Sequence, residues 1–263
     1  MLEINRIYNE DCVGKKGMCL IPDKSVDMIL CDLPYGTTAC SWDVVIPLKL
    51  LWSQYERIIK DNRAIALFGS EPFSSYLRLS NIGLYRHEWI WHKDKSGNFM
   101  NCKFEPMKVH ENIMVFGKKK VTYNPIMELR EEKNKRNNKP RLNTSNIIHT
   151  QKFFTKESKG SSDYKYPTSV KYFNSVRNGL HSTQKPVALF EYLIKTYTDE
   201  DDLVLDNCMG VGTTAIACIN TNRNYIGFEW SPKEPHDEYY KKAIERIESH
   251  IKSGVQKSLG RGN

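Results

Sequence analysis

Apolar residues along the chain gather into short unbroken runs set off by polar stretches that carry glycine, proline, asparagine and aspartate. Val26-Asp27-Met28-Ile29-Leu30, Ala64-Ile65-Ala66-Leu67-Phe68, Leu203-Val204-Leu205 and Tyr225-Ile226-Gly227-Phe228 are runs of this kind. Such runs read as strands buried on both faces of a parallel sheet. Ile4 to Tyr8, Glu88 to Trp91 and Asn112 to Phe116 read as further strands. From Pro47 to Ile59 the period changes. Leu48, Leu51, Trp52, Tyr55, Ile58 and Ile59 fall on one helical face, which assigns Trp52 and Tyr55 to a core. Lys93 to Lys103 is polar and basic with Phe99 near its centre, and reads as a loop. The pattern predicts an α/β fold, a doubly wound, mostly parallel sheet with helices on both faces.

Candidate chemistry sits where two of the runs end. After Leu30 comes Cys31-Asp32-Leu33-Pro34-Tyr35-Gly36. Open α/β sheets bind ligands at the C-terminal ends of their strands, so Asp32 and Tyr35 are expected to face one. Pro34 fixes its own φ and stiffens the segment. A carboxylate, oriented carbonyls and an aromatic face suit a planar heterocycle with an exocyclic amino group, such as adenine or cytosine. An ordinary strand-to-turn transition accounts for the same residues. After Leu205 comes Asp206-Asn207-Cys208-Met209-Gly210-Val211-Gly212-Thr213-Thr214, a glycine-bearing turn that leads into the helix start Ala215 to Ile219. Glycines let a backbone approach a ligand closely, and a helix N-terminus offers free N–H groups. The next run ends in Glu229, near the ~20-residue offset from the glycines at which an acidic side chain grips ribose hydroxyls.

Composition narrows the setting. A chain of 263 residues with 40% hydrophobic content suffices for one α/β domain with an inserted module. A formal charge of +8 favours a polyanionic partner. The seven cysteines lack paired Cys-x-x-Cys spacing, which argues for a reducing compartment and against a structural zinc site. Cys31, Cys208 and Cys218 lie in apolar runs and read as small core residues. Met1 to Arg6 has no secretory apolar region, and no apolar run reaches membrane-spanning length. A cytoplasmic protein is expected.

Asp32-Leu33-Pro34-Tyr35 and Asp206 through Thr213 together resemble the two signatures of the amino-methylating (N6-adenine/N4-cytosine) DNA methyltransferases that use S-adenosylmethionine. The catalytic motif precedes the cofactor motif here, which is similar to the permuted β class. His181-Ser182-Thr183-Gln184-Lys185-Pro186 resembles the family's His-x-x-Gln-Lys-Pro segment, and Glu238 to Ile247 its last helix. Two departures from the pattern occur: Leu33 replaces a proline, and Asn207-Cys208 stands where Pro-Phe is common. The resemblance implies a Rossmann-like cofactor fold, S-adenosylmethionine as cofactor and duplex DNA as partner, with no metal. A homodimer is left open.

The resemblance also distributes roles. Asp32, Pro34 and Tyr35 are the catalytic candidates. Asp206, Cys208, Gly210, Gly212, Thr213, Thr214, Glu229, Lys185 and Pro186 are the cofactor candidates. Asp11 joins them, standing equally as a helix cap. Leu33, Gly36 and Phe99 are the substrate candidates, with a plain surface loop as the other reading of Phe99. Thr37 to Asp43 resembles a loop that closes on substrate, with a loop packed on the surface as the other reading. Phe73, just beyond another strand end, reads as packing or as pocket lining. The expected division is residues 1–117 as catalytic half, 118–179 as target-recognition insertion, 180–250 as cofactor half and 251–263 as tail. Within the insertion, the charged tract from Arg130 to Arg141 reads as solvated or disordered. Phe153, Phe154, Tyr164, Tyr166, Tyr172 and Phe173 are interleaved with basic and polar residues and point to DNA contact, with contact to another subunit as the other reading.

The expected reaction is methyl transfer to the N6 amine of a flipped adenine, since an aspartate at the motif's first position goes mostly with adenine in the family. Transfer to cytosine N4, action on RNA, and a noncatalytic DNA-binding subunit are the alternatives.

Overall fold

The computed structural model describes residues 2–38, 40, 43–131, 163–177, 179–180, 183–230 and 238–259. Ala39, Ser41 and Trp42 of the post-motif loop, most of the charged tract, Phe153, Phe154, His181 and Ser182 lie outside the described residues. In chain order the strands are β1 (Arg6–Tyr8), β2 (Val26–Cys31), β3 (Ile59–Gly69), β4 (Tyr85–Gly97), β5 (Lys108–Phe116), β6 (Glu128–Leu129), β7 (Tyr164–Lys165), β8 (Val170–Tyr172), β9 (Leu203–Asp206) and β10 (Asn224–Phe228). The helices are α1 (Leu48–Ile58), α2 (Phe73–Ser80), α3 (Val187–Tyr197), α4 (Thr213–Asn220) and α5 (Glu238–Leu259).

By compactness the chain divides into a large unit, Met1–Asn124 with Ser169–Asn263, and a small one, Pro125–Thr168. In the small unit β6 and β7 pair antiparallel. In the large unit one sheet runs in the order β1-β10-β9-β2-β3-β5-β4-β8. Every neighbouring pair is parallel except those made by β5, which is antiparallel to both β3 and β4. β8 lies in the stretch read from sequence as insertion, yet it forms the edge of this sheet beside β4. The expected doubly wound α/β architecture is therefore the one observed. One core layer packs α3, α4 and the buried face of α5 on the sheet through Phe190, Leu193, Ala217 and Ile247. The other packs α1 and α2 through Leu51, Trp52, Tyr55 and Leu77. Trp52 and Tyr55 are core residues, as their spacing predicts.

Reversal of the winding fixes where a ligand can sit. β9 passes to α4 on one face of the sheet, whereas β2 is followed by α1 on the other. β2 and β9 are adjacent and parallel, with Ile29 opposite Leu205. Their C-terminal ends thus open side by side on the crevice that a topological switch point creates. This brings Asp32 and Asp206, far apart in sequence, to one place.

The β4–β5 hairpin is longer than its apolar pattern predicts. Lys93 to Gly97 continue β4 rather than forming a loop. Lys93 and Asp94 are half-buried, Lys95 to Gly97 are exposed, and none of the five carries an apolar side chain, so no alternation of apolar and polar residues marks them as strand.

Candidate active site

The crevice holds a cavity of about 940 Å³, at the upper end of the range for small-molecule sites. Asp32, Leu33, Pro34 and Tyr35 line it from the end of β2. Asp206, Cys208, Gly210, Thr213 and Thr214 line it from the turn after β9, with Glu229 from the end of β10, and the expected residues Asp11 and Lys185 line it as well. Four others are not among its lining. Gly36 donates its N–H to Asp43 at 2.8 Å. Gly212 caps α4 at φ +80, where a Cβ would stand 3.2 Å from Ile247 of α5, so its lack of a side chain serves helix packing. Pro186 caps α3. Phe99 is 71% exposed at the tip of the β4–β5 hairpin. Phe73 is buried and stacks on the Tyr35 ring, with centroids 5.1 Å apart, which makes it packing support.

Around Asp32 the structure builds an ionic network. Lys185 Nζ lies 2.6 Å from Asp32 Oδ2 and 3.2 Å from Glu111 Oε2. Tyr35 donates its hydroxyl to Asp32 Oδ1 at 2.7 Å and more weakly to Glu111 at 3.4 Å. Lys93 closes the network on the other oxygen of Glu111. Burial lifts the pKa of Asp32, and Lys185 pulls it back only in part. Burial likewise works against the Lys185 ammonium, but the two carboxylates outweigh it and raise its pKa. For Glu111, burial is overcome by Lys185 and Lys93, which hold it below the ordinary glutamate range. A carboxylate has about four acceptor positions. Lys185 and Tyr35 use two on Asp32, leaving room for a further donor.

This network predicts an effect on pH dependence. Lys185→Met leaves Asp32 and Glu111 facing each other without the cation between them, and like charge raises carboxylate pKa values. The acid limb of the pH–kcat profile is expected to move to higher pH, with kcat reduced across the range. An unmoved acid limb would remove Lys185 from control of Asp32.

The turn after β9 is braced internally. Asp206 accepts the Cys208 N–H at 3.0 Å and the Thr214 hydroxyl, so both its oxygens serve the turn. Arg246 of α5 donates to the Val211 carbonyl at 2.8 Å. Gly210 has φ +53, and a Cβ built there would meet nothing within 4 Å, so the position opens onto free space. Its N–H donates to Glu229 Oε2 at 2.7 Å. Asp11 accepts the Val13 N–H at 3.0 Å, serving a local turn while lining the cavity. Asn207, at the position that departs from the family pattern, is buried, accepts from Tyr55 and donates weakly to Cys12 and Cys208.

Burial raises Glu229 to about 7 and Asp206 to about 6. A carboxyl group whose folded-state pKa lies above its unfolded value binds more protons when folded, so stability falls as pH rises between the two values. The protein without cofactor is expected to lose melting temperature from about pH 4.5 to about 7. Glu229→Gln should flatten that slope, and an identical slope in wild type and variant would contradict the assignment.

Sequence reasoning missed Glu111, Lys93, Asp43 and Arg246. Asp43 accepts the N–H groups of Gly36, Thr37 and Thr38 at 2.7 to 2.9 Å and so ties down the loop after the motif. Burial is overcome there by these bonds, which lower its pKa. A carboxylate at the head of an apolar strand run is the signal available for Glu111.

A switch-point crevice with an acidic–aromatic strand end on one side and a glycine turn with a ribose-spaced glutamate on the other defines the class of Rossmann-like α/β methyltransferases. Within it, the chain belongs to the N6_N4_Mtase family, described as DNA methylase, whose model matches residues 26–242. It is 28% identical over 252 residues to the Type II methyltransferase M.HpaI of Haemophilus parainfluenzae, covering 90% of this chain and 72% of that protein. Among solved structures it is similar to an M1.HpyAVI–SAM complex (24% identity, TM-score 0.59, 92% of this chain and 98% of the other). It is also similar to the PvuII cytosine-N4-specific DNA methyltransferase (13% identity, TM-score 0.61, 93% and 90%). A cytosine-N4 enzyme thus shares the fold, and the fold does not choose the base. No helix among the described residues is long and apolar enough to cross a membrane, and no cluster of metal-ligating side chains occurs among them.

Proposed function

We propose that this DNA methyltransferase transfers a methyl group from S-adenosylmethionine to the exocyclic N6 amine of an adenine flipped out of duplex DNA. The observation that carries the reading is that Asp32 and Glu229 line one cavity, Asp32 just beyond the end of β2 at the switch point and Glu229 just beyond the end of β10, the strand next to β9. The residues present fit the cofactor: Gly210 opens onto free space, and Glu229 retains acceptor capacity beyond its bond to the Gly210 N–H. Glu229 would hold the ribose hydroxyls, with Asp11 and the backbone after Asp206 around the rest. When bound, the cofactor would supply an electrophilic methyl group on a sulfonium: the S–CH3 bond breaks as the N6–CH3 bond forms, S-adenosylhomocysteine leaves, and one amine proton is released to solvent.

The chain's own residues do the positioning. An adenine amine is a weak nucleophile because its lone pair is delocalised into the ring. A bond from that amine to Asp32, and a second to a carbonyl at Leu33 or Pro34, favours a more tetrahedral nitrogen with its lone pair aimed at the methyl. Alignment of reacting groups can supply ~7–11 kcal/mol, more than the ~10²–10⁴-fold of a positioned proton acceptor, so alignment dominates. Tyr35 is held on edge by Asp32 and on one face by Phe73, which fixes its ring as a stacking platform. Flipping costs a few kcal/mol, part of which stacking on Tyr35 returns.

The experiment is transfer from labelled S-adenosylmethionine to mixed-sequence duplex DNA, followed by nucleoside digestion and mass analysis. N6-methyladenine is expected. N4-methylcytosine would overturn the choice of base, and cofactor binding without label in DNA would point to RNA or to a missing partner.

A further inference from the structure

The tip of the β4–β5 hairpin presents large apolar side chains that stand exposed among the described residues. Phe99, Met100 and Phe104 are 71%, 88% and 89% exposed. The tip that carries them is nevertheless built. Glu105 accepts from the side-chain amides of Asn98 and Asn101 at 2.9 and 3.0 Å. Asn98, at φ +50, accepts the Lys108 N–H at 2.8 Å, and the Phe104 N–H closes on the Asn101 carbonyl at 2.8 Å. A polar lattice of this kind fixes the backbone while leaving the apolar groups in water, which marks a surface meant to be covered.

Direction and charge identify the occupant. β4 runs parallel to β3 through its antiparallel pairing with β5, so the hairpin turns on the same edge of the sheet as the end of β2. Glu111, which touches Tyr35 and Lys185 in the site, lies on the same hairpin. From Glu111 to Lys108 is three residues of strand, or ~10 Å, and the tip lies beyond. That projection is comparable with the ~8.5 Å depth of a DNA major groove. Lys95 and Lys103 flank the tip, are exposed, and have no carboxylate partner among the described residues. Cations around an exposed apolar knob suit a polyanion with an apolar interior, which is what a base stack between phosphate backbones is.

We propose that Phe99, Met100 and Phe104 form a wedge that enters the base stack of duplex DNA and holds open the space left by the flipped target base, with Lys95 and Lys103 on the adjoining phosphates. This rests on the base-flipping reaction proposed above. It reassigns Phe99 from the flipped base itself to the vacancy the base leaves.

The test compares wild type with the double variant Met100→Ser, Phe104→Ser on two duplexes carrying the site that wild type methylates. In one the target base is paired, and in the other it faces an abasic nucleotide, where little remains to be unpaired. The variant is expected to lose ~10-fold or more in kcat/KM on the paired duplex and less than ~3-fold on the other. Met100→Leu, Phe104→Leu should keep most of the activity. Equal losses on both duplexes, or no loss on either, would overturn the wedge. A wild-type dimer that the serine variant dissociates would assign the surface to a second copy of the chain and overturn it too. No transfer to any DNA by wild type would instead sink the proposed function, and the inference with it.

Discussion

Asp32→Ala is expected to slow methyl transfer by ~10²–10⁴-fold while changing cofactor affinity by less than about threefold. In the proposed arrangement the carboxylate accepts from the target amine, whereas the cofactor's ribose is held by a different residue of the same cavity, Glu229. Removing the Asp32 carboxylate frees Lys185 from one partner, but Glu111 still holds the ammonium at 3.2 Å. The fold should therefore survive, and a thermal melt within a few degrees of wild type checks that it does. Asp32→Asn keeps the shape and one acceptor and should fall between the two. Single-turnover transfer rates beside an equilibrium titration of S-adenosylmethionine separate the effects. Loss of cofactor binding in step with loss of rate would assign Asp32 to the cofactor instead.

Glu229→Ala is expected to act in the opposite way. Hydrogen bonds to a charged group contribute ~1.5–3 kcal/mol, so loss of the ribose acceptor should weaken S-adenosylmethionine by about 10- to 150-fold. The rate at saturating cofactor should stay close to that of wild type, since Glu229 touches neither the amine nor the methyl. Because burial raises Glu229 to about 7, wild-type affinity for the cationic cofactor should also rise from pH 6 to pH 8 as the carboxyl ionises, and the variant should lose this dependence. A variant that binds the cofactor as wild type does would place the ribose elsewhere.

The strands that build the switch point were legible because they are buried on both faces. β2, β3, β9 and β10 each appear as an apolar run, and the residues just beyond the ends of β2, β9 and β10 line the cavity. α1 was legible from its stripe, since Leu51, Trp52, Tyr55 and Ile58 are all buried as their spacing demands. Contacts between distant segments were not. Glu111 reaches the Asp32 cluster from β5 and Lys185 from the segment just before α3, and no local pattern couples them. Asp206 shows the limit from the other side: its place in the motif was evident, but not that each of its carboxylate oxygens also braces the turn, one at the Cys208 N–H and one at the Thr214 hydroxyl. The outer half of the β4–β5 hairpin escaped because polar residues on both faces carry no period, and Phe99 consequently reads from sequence as part of a loop near the base. β8 escaped for a related reason. It is a three-residue edge strand with only Lys171 buried, too short to announce itself against the basic, aromatic stretch around it.

The proposed reaction requires one cavity to serve both the cofactor and the catalytic carboxylate. The most direct measurement is a crystal structure of the protein with S-adenosylhomocysteine bound. The ribose hydroxyls are expected on the Glu229 carboxylate, the chain backbone at Gly210 against the ligand, and the thioether sulfur facing Asp32 across the cavity. A ligand bound in another orientation, with its sulfur turned away from Asp32 or its ribose remote from Glu229, would contradict this assignment of the site.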